Sequence, residues 1–196
     1  MASDLKGKVV FITGASTGIG AAAALAFARV GSKLVIHYNA SRDAAEAVAA
    51  AVKTAGAEAK LVAGDVMQAA NVKRIAAEAL AAFGRIDVLI NNAGGMIGRT
   101  KIEDYTEDYL GRVLALNVTQ VAMFMHEVIP SMRKQGGGNV INVSSIAARH
   151  GGGGGGAIIY AGAKGFISTA THGCSCFSIA VGNGFTRCRP ARPCAS

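Results

Sequence analysis

The stretch that most constrains the fold is an apolar run ending in a glycine-rich turn. It reads Val9-Val10-Phe11-Ile12-Thr13-Gly14-Ala15-Ser16-Thr17-Gly18-Ile19-Gly20, and an alanine-rich helical run follows. This order predicts a phosphate cradle, because glycines let the backbone approach a ligand and the free N–H groups of a first helical turn attract negative charge. The spacing G-x-x-x-G-x-G is neither the common G-x-G-x-x-G nor a P-loop, so an ordinary strand-to-helix turn remains the alternative here.

Length and hydropathy limit the class of protein. The chain has 196 residues, which suits one domain with a substantial core. Hydrophobic residues make up 51% of it, yet no stretch reaches the ~18 uninterrupted apolar residues of a membrane span. Residues 1–8 lack the hydrophobic core of a signal peptide. We therefore expect a cytoplasmic protein with no membrane partner.

The net charge of +8 is unevenly distributed. All 12 acidic residues lie before residue 128, together with most of the basic ones. The last third has no acidic residue, and its basic residues are scattered without interleaved aromatics. Nucleic-acid recognition is typical of clustered basic residues, so we expect no nucleic-acid partner.

Neither cysteine nor histidine spacing predicts a metal site. The four cysteines, at positions 174, 176, 188 and 194, fit no common zinc pattern. The four histidines, at 37, 126, 150 and 172, have no partner at a ligand spacing. Intracellular thiols are normally reduced, so a disulfide framework is not expected either.

Strand-like and helix-like segments alternate five times. Apolar runs predict strands at 8–13, 33–38, 59–63, 86–90 and 139–143. Helix patterns and their glycine or capping signals predict helices at 18–30, 43–54, 69–83, 106–134 and 158–171. This alternation predicts an α/β fold, in which helices cover both faces of a parallel sheet. Gly111 and Pro130 are expected to bend or break the fourth helix.

Ligands of such sheets bind at the carboxyl ends of the strands. The predicted strand ends carry small or polar residues at 13–20, 38–42, 65–66, 91–94 and 144–145. Five such ends point to a ligand site far more specifically than one glycine turn does.

These segments resemble the short-chain dehydrogenase/reductase family of NAD(P)-dependent oxidoreductases. The motifs are residues 13–20, Asn91-Asn92-Ala93-Gly94, Asn117, Ser144-Ser145 and Tyr160-Ala161-Gly162-Ala163-Lys164. Residues 37–42 look most like the reductases near 3-oxoacyl-carrier-protein reductase and related sugar or polyol dehydrogenases. The resemblance covers about residues 5–170 and implies a Rossmann-like, doubly wound sheet of strand order 3-2-1-4-5. It also implies hydride transfer between a nicotinamide cofactor and a small carbonyl or secondary-alcohol substrate.

Tyr160 is the predicted acid/base, because hydride transfer to a carbonyl carbon requires a proton at its oxygen. A free phenol has a pKa around 10, and Lys164, four residues later on the same helix face, would favour the phenolate. A half-buried tyrosine and a solvated lysine are the plainer alternatives. By resemblance, Lys164 also holds the ribose hydroxyls, Ser145 binds the substrate oxygen, and Asn117 holds a water near Lys164.

Ser144 and Ser145 compete for the serine role. The family's serine usually precedes the tyrosine by about 13 positions, whereas Ser145 precedes Tyr160 by 15. A run of six glycines, 151–156, offers a place for two extra residues, so Ser145 is preferred. We interpret the glycine run as a mobile loop near the substrate.

The resemblance implies a cofactor site along the strand ends, and the residues of that site indicate which nicotinamide cofactor is preferred. The predicted set is Gly14, Ser16, Thr17, Gly18, Ile19, Gly20, Tyr38, Asn39, Ser41, Arg42, Asp65, Val66, Asn92, Ala93, Gly94, Tyr160 and Lys164. Members that prefer NAD usually carry an acid where Tyr38 stands, and here none occurs before Asp43. Arg42 could pair a 2′-phosphate, which favours NADP(H), with NAD(H) as the alternative. Thr17 argues against the preference for NADP(H), since many NADPH reductases have a basic residue at that position.

The family pattern stops after about Ala170. Residues 171–196 contain every cysteine, two of the three prolines and no acid, and strands 6 and 7 of the family are not recognisable. We expect an incomplete dinucleotide-binding domain at 1–170 and an aberrant or disordered tail, from a shifted reading frame or a divergent end. The alternative function is an inactive remnant that at most binds nucleotide. The family implies a homo-oligomer, which this departure disfavours.

Overall fold

The computed structural model describes residues 2–153, 155–173, 179–181 and 184–186. Seven segments are strands: β1 Val9–Ile12, β2 Lys33–Tyr38, β3 Ala59–Ala63, β4 Val88–Asn91, β5 Asn139–Asn142, β6 Ile179–Val181 and β7 Gly184–Thr186. Seven are helices: α1 Gly18–Arg29, α2 Arg42–Thr54, α3 Ala69–Phe83, α4 Glu107–Leu114, α5 Gln120–Lys134, α6 Ala147–His150 and α7 Ile158–Gly173. Short 3-10 turns occupy Ala2–Leu5 and Ile102–Asp104.

The first five strands form one parallel sheet in the order β3-β2-β1-β4-β5. This confirms the predicted fold class and strand order. The described strands β6 and β7 pair with each other and not with this sheet. Of the predicted tail, residues 171–173 form the end of α7, whereas 174–178, 182–183 and 187–196 lie outside the described residues.

Hydrophobic side chains cover both faces of the sheet. On one face, Phe11 meets Phe124 of α5 edge to face, with ring centroids 5.6 Å apart. On the other face, Val10 and Ile12 pack with Ala24 of α1 and Val52 of α2. Burial of each large apolar side chain is worth about 1.5–3 kcal/mol. Alternate residues of β1 thus serve opposite cores, which explains why the strand is apolar throughout.

The long fourth helix is interrupted between its two predicted breakers. Thr106 caps α4 by accepting a hydrogen bond from the Tyr109 N–H at 3.1 Å, as its position before two acids indicated. Gly111 lies inside α4 and Pro130 inside α5. The irregularity is a π-helical turn at Ala115–Thr119, which carries Asn117. π-helical turns occur frequently at functional sites.

By length and composition alone, the helical stretch 107–134 could cross a membrane. Core helices of soluble proteins pass the same test. Here α5 buries Phe124, Val128 and Met132 completely against the sheet. We therefore describe it as a core helix.

At the amino ends of the strands, the side chain of Asp87, which precedes β4, bonds β1. Its carboxylate accepts hydrogen bonds from the Val9 N–H at 2.9 Å and from two nitrogens of Arg85, the shorter at 2.6 Å. Lys8 Nζ lies 3.6 Å away. Burial raises the pKa of Asp87, but Arg85 and the Val9 N–H outweigh it and hold the pKa below its ordinary value.

Candidate active site

The glycine turn after β1 has the backbone that its sequence predicts. Gly14 and Gly18 have φ values of 61° and 56°, in the left-handed region that favours glycine. A Cβ on Gly20 would come within 2.6 Å of Asn92 Nδ2 and of the Gly14 carbonyl oxygen. Gly20 is therefore required for close packing of α1 against the turn. Helix α1 begins at Gly18, so its first N–H groups have no partner within the helix.

Side chains from the end of β4 fix this turn in place. Asn92 Nδ2 donates to the carbonyl oxygens of Thr13 and Gly14, each at 2.9 Å. Thr13 Oγ1 accepts hydrogen bonds from the N–H groups of Asn92 and Ala93, each at 3.0 Å. The first asparagine of the Asn-Asn pair, Asn91, bonds instead to Asn142 of β5 at 2.8 Å. The motif at 91–94 thus acts mainly on the backbone of neighbouring strands.

A cavity of about 680 Å³ runs along the carboxyl ends of the strands. It contains residues from both ends of the predicted site: Gly14, Ser16, Thr17, Ile19, Asn39, Ser41, Asp65, Val66, Asn92, Ala93, Gly94, Ser145, Tyr160 and Lys164. Its volume lies within the range of small-molecule and cofactor sites. The structure therefore brings together segments that are up to 150 positions apart in the chain.

Five predicted site residues are not among the described residues that line this cavity: Gly18, Gly20, Tyr38, Arg42 and Asn117. Tyr38 is 9% exposed, and it faces away from His37 because side chains alternate along a strand. The Arg42 side chain turns along α2 and pairs with Glu46 at 2.8 Å. Ser41 precedes α2, but its side chain makes no capping hydrogen bond. Asp65 Oδ1 accepts a hydrogen bond from the Met67 N–H at 2.9 Å.

At the other end of the cavity, α7 carries Tyr160 and Lys164 one turn apart. Lys164 is 5% exposed, and its Nζ donates to the Val143 carbonyl oxygen at 2.9 Å. The same Nζ lies 6.0 Å from the centroid of the Tyr160 ring. Burial lowers the pKa of Lys164 from its ordinary value. The lysine is therefore held beside the phenol by a backbone carbonyl.

The two serines after β5 have different hydrogen-bond partners. Ser144 Oγ contacts the Lys164 carbonyl oxygen and Ser168 Oγ, each at 2.9 Å, and so ties the loop to α7. Ser145 Oγ accepts a hydrogen bond from the Ala147 N–H at 3.2 Å, which leaves its O–H hydrogen for another partner. Both residues line the cavity.

Asn117 is fully buried in the π-helical turn. Its Oδ1 accepts from the Gly95 N–H, and its Nδ2 donates to the carbonyl oxygens of Gly95 and Val113, all at 3.0 Å. A Cβ on Gly94 would lie 3.0 Å from Asn117 Oδ1 and 3.2 Å from Lys164 Nζ. Asn117 therefore holds the loop after β4, and its amide faces Lys164 across the space beside Gly94.

The sequence reasoning missed two residues that shape the site. Thr13 bonds two N–H groups of the 91–94 segment, and its position as the last residue before the glycines was the available signal. In the sequence, His37 has no metal-ligand spacing and enters only as part of the 37–42 segment that carries the family resemblance. In the structure it is 1% exposed, lines the cavity, and bonds Gly14 and Gly64. Among the described residues, no three His, Cys, Asp or Glu side chains converge on a metal site.

A nucleotide cofactor fits the residues present. The unpaired N–H groups at the start of α1 suit a pyrophosphate. Gly94 is required beside Lys164, because a Cβ on it would crowd Asn117 Oδ1 at 3.0 Å and Lys164 Nζ at 3.2 Å. Among the described residues that line the cavity, Asp65 is the only acidic one, and it follows β3 rather than the glycine turn.

Comparison with protein families gives a match to short chain dehydrogenase over residues 8–176. An uncharacterized oxidoreductase of Methylorubrum extorquens is 37% identical over 166 residues, covering 85% of this chain and 65% of the relative. A 3-oxoacyl-[acyl-carrier-protein] reductase of Synechocystis sp. is 41% identical over 147 residues, covering 73% of this chain and 58% of the relative. The chain thus spans less than two thirds of the length of these relatives.

Solved structures give the same fold. The NADH-dependent reductase A1-R′ complexed with NAD superposes with a TM-score of 0.87 at 32% identity, covering 92% of this chain and 80% of that one. A short-chain dehydrogenase/reductase from Serratia marcescens gives a TM-score of 0.84 at 34% identity, covering 90% and 73%.

Proposed function

The chain belongs to the short-chain dehydrogenase family, and from that premise we propose that it is an NADP(H)-dependent oxidoreductase. Its substrate would be a small carbonyl compound or secondary alcohol. One observation carries the proposal: Tyr160 and Lys164 line the same cavity as the glycine turn at 14–20. A cofactor bound at the turn can therefore extend to the phenol.

Tyr160 is the proposed proton donor and acceptor at the substrate oxygen. The nicotinamide, when bound, supplies or accepts the hydride. Lys164 would stabilise the phenolate by its charge, and the 6.0 Å between its Nζ and the ring centroid supports this role. In the same position its remaining hydrogens would reach the ribose hydroxyls. The carbonyl of Val143 orients the lysine for both tasks.

Ser145, rather than Ser144, is proposed to bind the substrate oxygen. Support comes from the uncommitted O–H of Ser145 and from the bonds of Ser144 to α7. Asn117 is proposed to complete a proton relay with a water near Lys164. Its support is the position of its Oδ1, which, like Lys164 Nζ, lies close to Gly94, 3.0 Å and 3.2 Å from where a Cβ would stand.

The preference for NADP(H) over NAD(H) is part of the proposal. Support comes from the rim at Asn39–Ser41, which carries no acid to repel a 2′-phosphate and precedes the start of α2. The Arg42 side chain is exposed, and its surface pairing with Glu46 is worth little, so a phosphate can compete for it. Thr17, where a basic residue is common, and the bond to Glu46 favour NAD(H) as the second candidate.

The test is binding and turnover of the purified chain with each cofactor. We expect tighter binding of NADPH than NADH in a fluorescence titration, and oxidation of NADPH with a panel of ketones at the nicotinamide absorbance. Arg42→Ala should weaken NADPH binding but leave NADH binding unchanged, whereas Glu46→Ala should not weaken either. Tight binding of NADH alone would overturn the preference. Nucleotide binding without turnover on any ketone or alcohol would favour the remnant that only binds nucleotide.

A further inference from the structure

His37 lies at the junction of three strand ends. Its Nδ1 accepts a hydrogen bond from the Gly14 N–H at 3.1 Å, and its Nε2 lies 2.9 Å from the Gly64 carbonyl oxygen. Its own carbonyl oxygen accepts from the Ala15 N–H at 2.8 Å. One residue of β2 thus holds two consecutive amides of the glycine turn and also the loop after β3.

These partners fix the protonation state of the ring. The Gly14 N–H can only donate, and the Gly64 carbonyl oxygen can only accept. His37 must therefore be the neutral tautomer with its hydrogen on Nε2. An imidazolium would place an Nδ1–H against the Gly14 N–H, two donors facing each other in a buried place.

We propose that neutral His37 positions the glycine turn for the dinucleotide, so that its protonation or loss weakens cofactor binding without touching the chemistry at Tyr160. This inference rests on the proposed function. The hydrogen bond to Nδ1 keeps Gly14 in its left-handed conformation, with φ at 61°. That conformation sets the direction in which Ser16 and Thr17 enter α1, whose N–H groups would receive the pyrophosphate.

The surroundings of the ring lower its pKa overall and so disfavour the imidazolium. Burial lowers the pKa of His37, the bond to Gly64 raises it, and Arg74 of α3 lowers it again, with a net lowering. The turn at 13–15 has no charged group, and α5 presents Phe124, 6.5 Å from the ring. Asp65, next to Gly64, is the nearby acid in sequence. Protonation, and with it the loss of cofactor affinity, is therefore expected below the ordinary pKa of 6.5.

Two variants test the contributions of the two ring nitrogens separately. In His37→Asn the side-chain oxygen can replace Nδ1 as the acceptor for Gly14, whereas in His37→Gln the amide can replace only the Nε2 donor. At pH 7.5 we expect His37→Gln to bind NADPH about tenfold more weakly and His37→Asn within about threefold of the wild type. As pH falls from 7.5 to 5, affinity should decrease more in the wild type than in His37→Asn, because the 2′-phosphate of NADPH, with a second pKa of about 6, takes up a proton equally with both proteins.

A readout independent of the cofactor accompanies this titration. Amide exchange of Gly14 at pH 7.5 should be slow in the wild type and in His37→Asn, and fast in His37→Gln. Equal NADPH affinity and equal Gly14 protection in all three proteins would overturn the role of His37. So would the same pH dependence of binding in the wild type and His37→Asn.

Failure of the proposed function gives a different pattern. If no variant, the wild type included, binds NADPH or NADH, that function is wrong. The amide exchange still decides whether His37 holds the turn. Thermal melting of the three proteins checks that each is folded at the pH of measurement. A Gln variant unfolded at pH 7.5 would itself contradict a role confined to the turn, since only one hydrogen bond has been removed.

Discussion

The two ends of the sheet use polar side chains differently. At the amino ends, Asp87 is enclosed by Val9, Arg85 and Lys8, which satisfy its carboxylate from three directions. At the carboxyl ends, Ser145 and Lys164 are each held by one backbone group and face a cavity. At the amino end, the bonding capacity of the carboxylate is therefore used within the protein, which contributes stability. The carboxyl end keeps bonding capacity for a ligand, which costs stability.

The largest expected effect is at the carboxyl end. Tyr160→Phe removes only the hydroxyl, so kcat/KM with NADPH and a ketone should fall about 1000-fold, as expected for loss of a general acid. The melting temperature and the NADPH affinity should match those of the wild type. Steady-state kinetics and a melting curve measure both. A loss of stability as large as the loss of activity would erase the contrast between the two ends.

Asp87→Ala tests the amino end in the opposite sense. It leaves a buried Val9 N–H and an Arg85 without their partner, so the free energy of unfolding should fall by about 2–4 kcal/mol. Urea denaturation measures this, and NADPH affinity of the folded fraction should not change. Asp87→Asn keeps one acceptor oxygen and should lose less.

The pH dependence of that stability has a definite sign. Because the pKa of Asp87 is lowered on folding, its contribution is complete above the ordinary value of 3.8 and is lost as pH falls through the lowered pKa. The Ala variant should therefore approach the wild type in strongly acidic solution. A constant difference across that range would mean that the carboxylate charge contributes nothing.

The next prediction distinguishes Ser145, which is proposed to bind the substrate, from Ser144, which bonds α7. Ser145→Ala should reduce kcat about 10- to 100-fold with no change in stability, because its hydroxyl has one local bond. Ser144→Ala should lower the free energy of unfolding by about 1 kcal/mol through its lost bonds to α7, with a smaller effect on kcat. The reverse result would exchange their roles.

Local signals predicted the fold well. The bounds of β2, β3 and α3 agree with the predicted ones, because apolar periodicity and a glycine such as Gly84, which ends α3 at a φ of 74°, act within a few residues. The strand order followed from the family resemblance and is confirmed. The π-helical turn at 115–119 replaced the expected break at Gly111 or Pro130. No local residue preference marks this turn, in which Asn117 bonds Gly95, 22 positions away in the chain.

The sequence names the candidate residues of the site but not their contacts, and their roles stay predictions. Tyr160, Lys164 and Ser145 were expected at the cavity and line it. Whether a side chain such as His37 or Ser144 serves the ligand or the scaffold depends on which strand ends become neighbours. That information is absent from sequence spacing, because Gly14, His37 and Gly64 meet only when β1, β2 and β3 are aligned in register.

The last and smallest effect is on stability, and it tests how much the buried charge of Lys164 destabilises the carboxyl end. Burial lowers the pKa of Lys164, so the native state binds this proton more weakly than the unfolded chain does. Lys164→Met should raise the free energy of unfolding by about 1 kcal/mol at pH 7. The gain should shrink as pH rises toward 10.5, the ordinary value, where the wild-type lysine loses its proton in both states. A Met variant less stable than the wild type at pH 7 would mean that the bond to Val143 outweighs the cost of burial, and the two ends of the sheet would then differ in function alone.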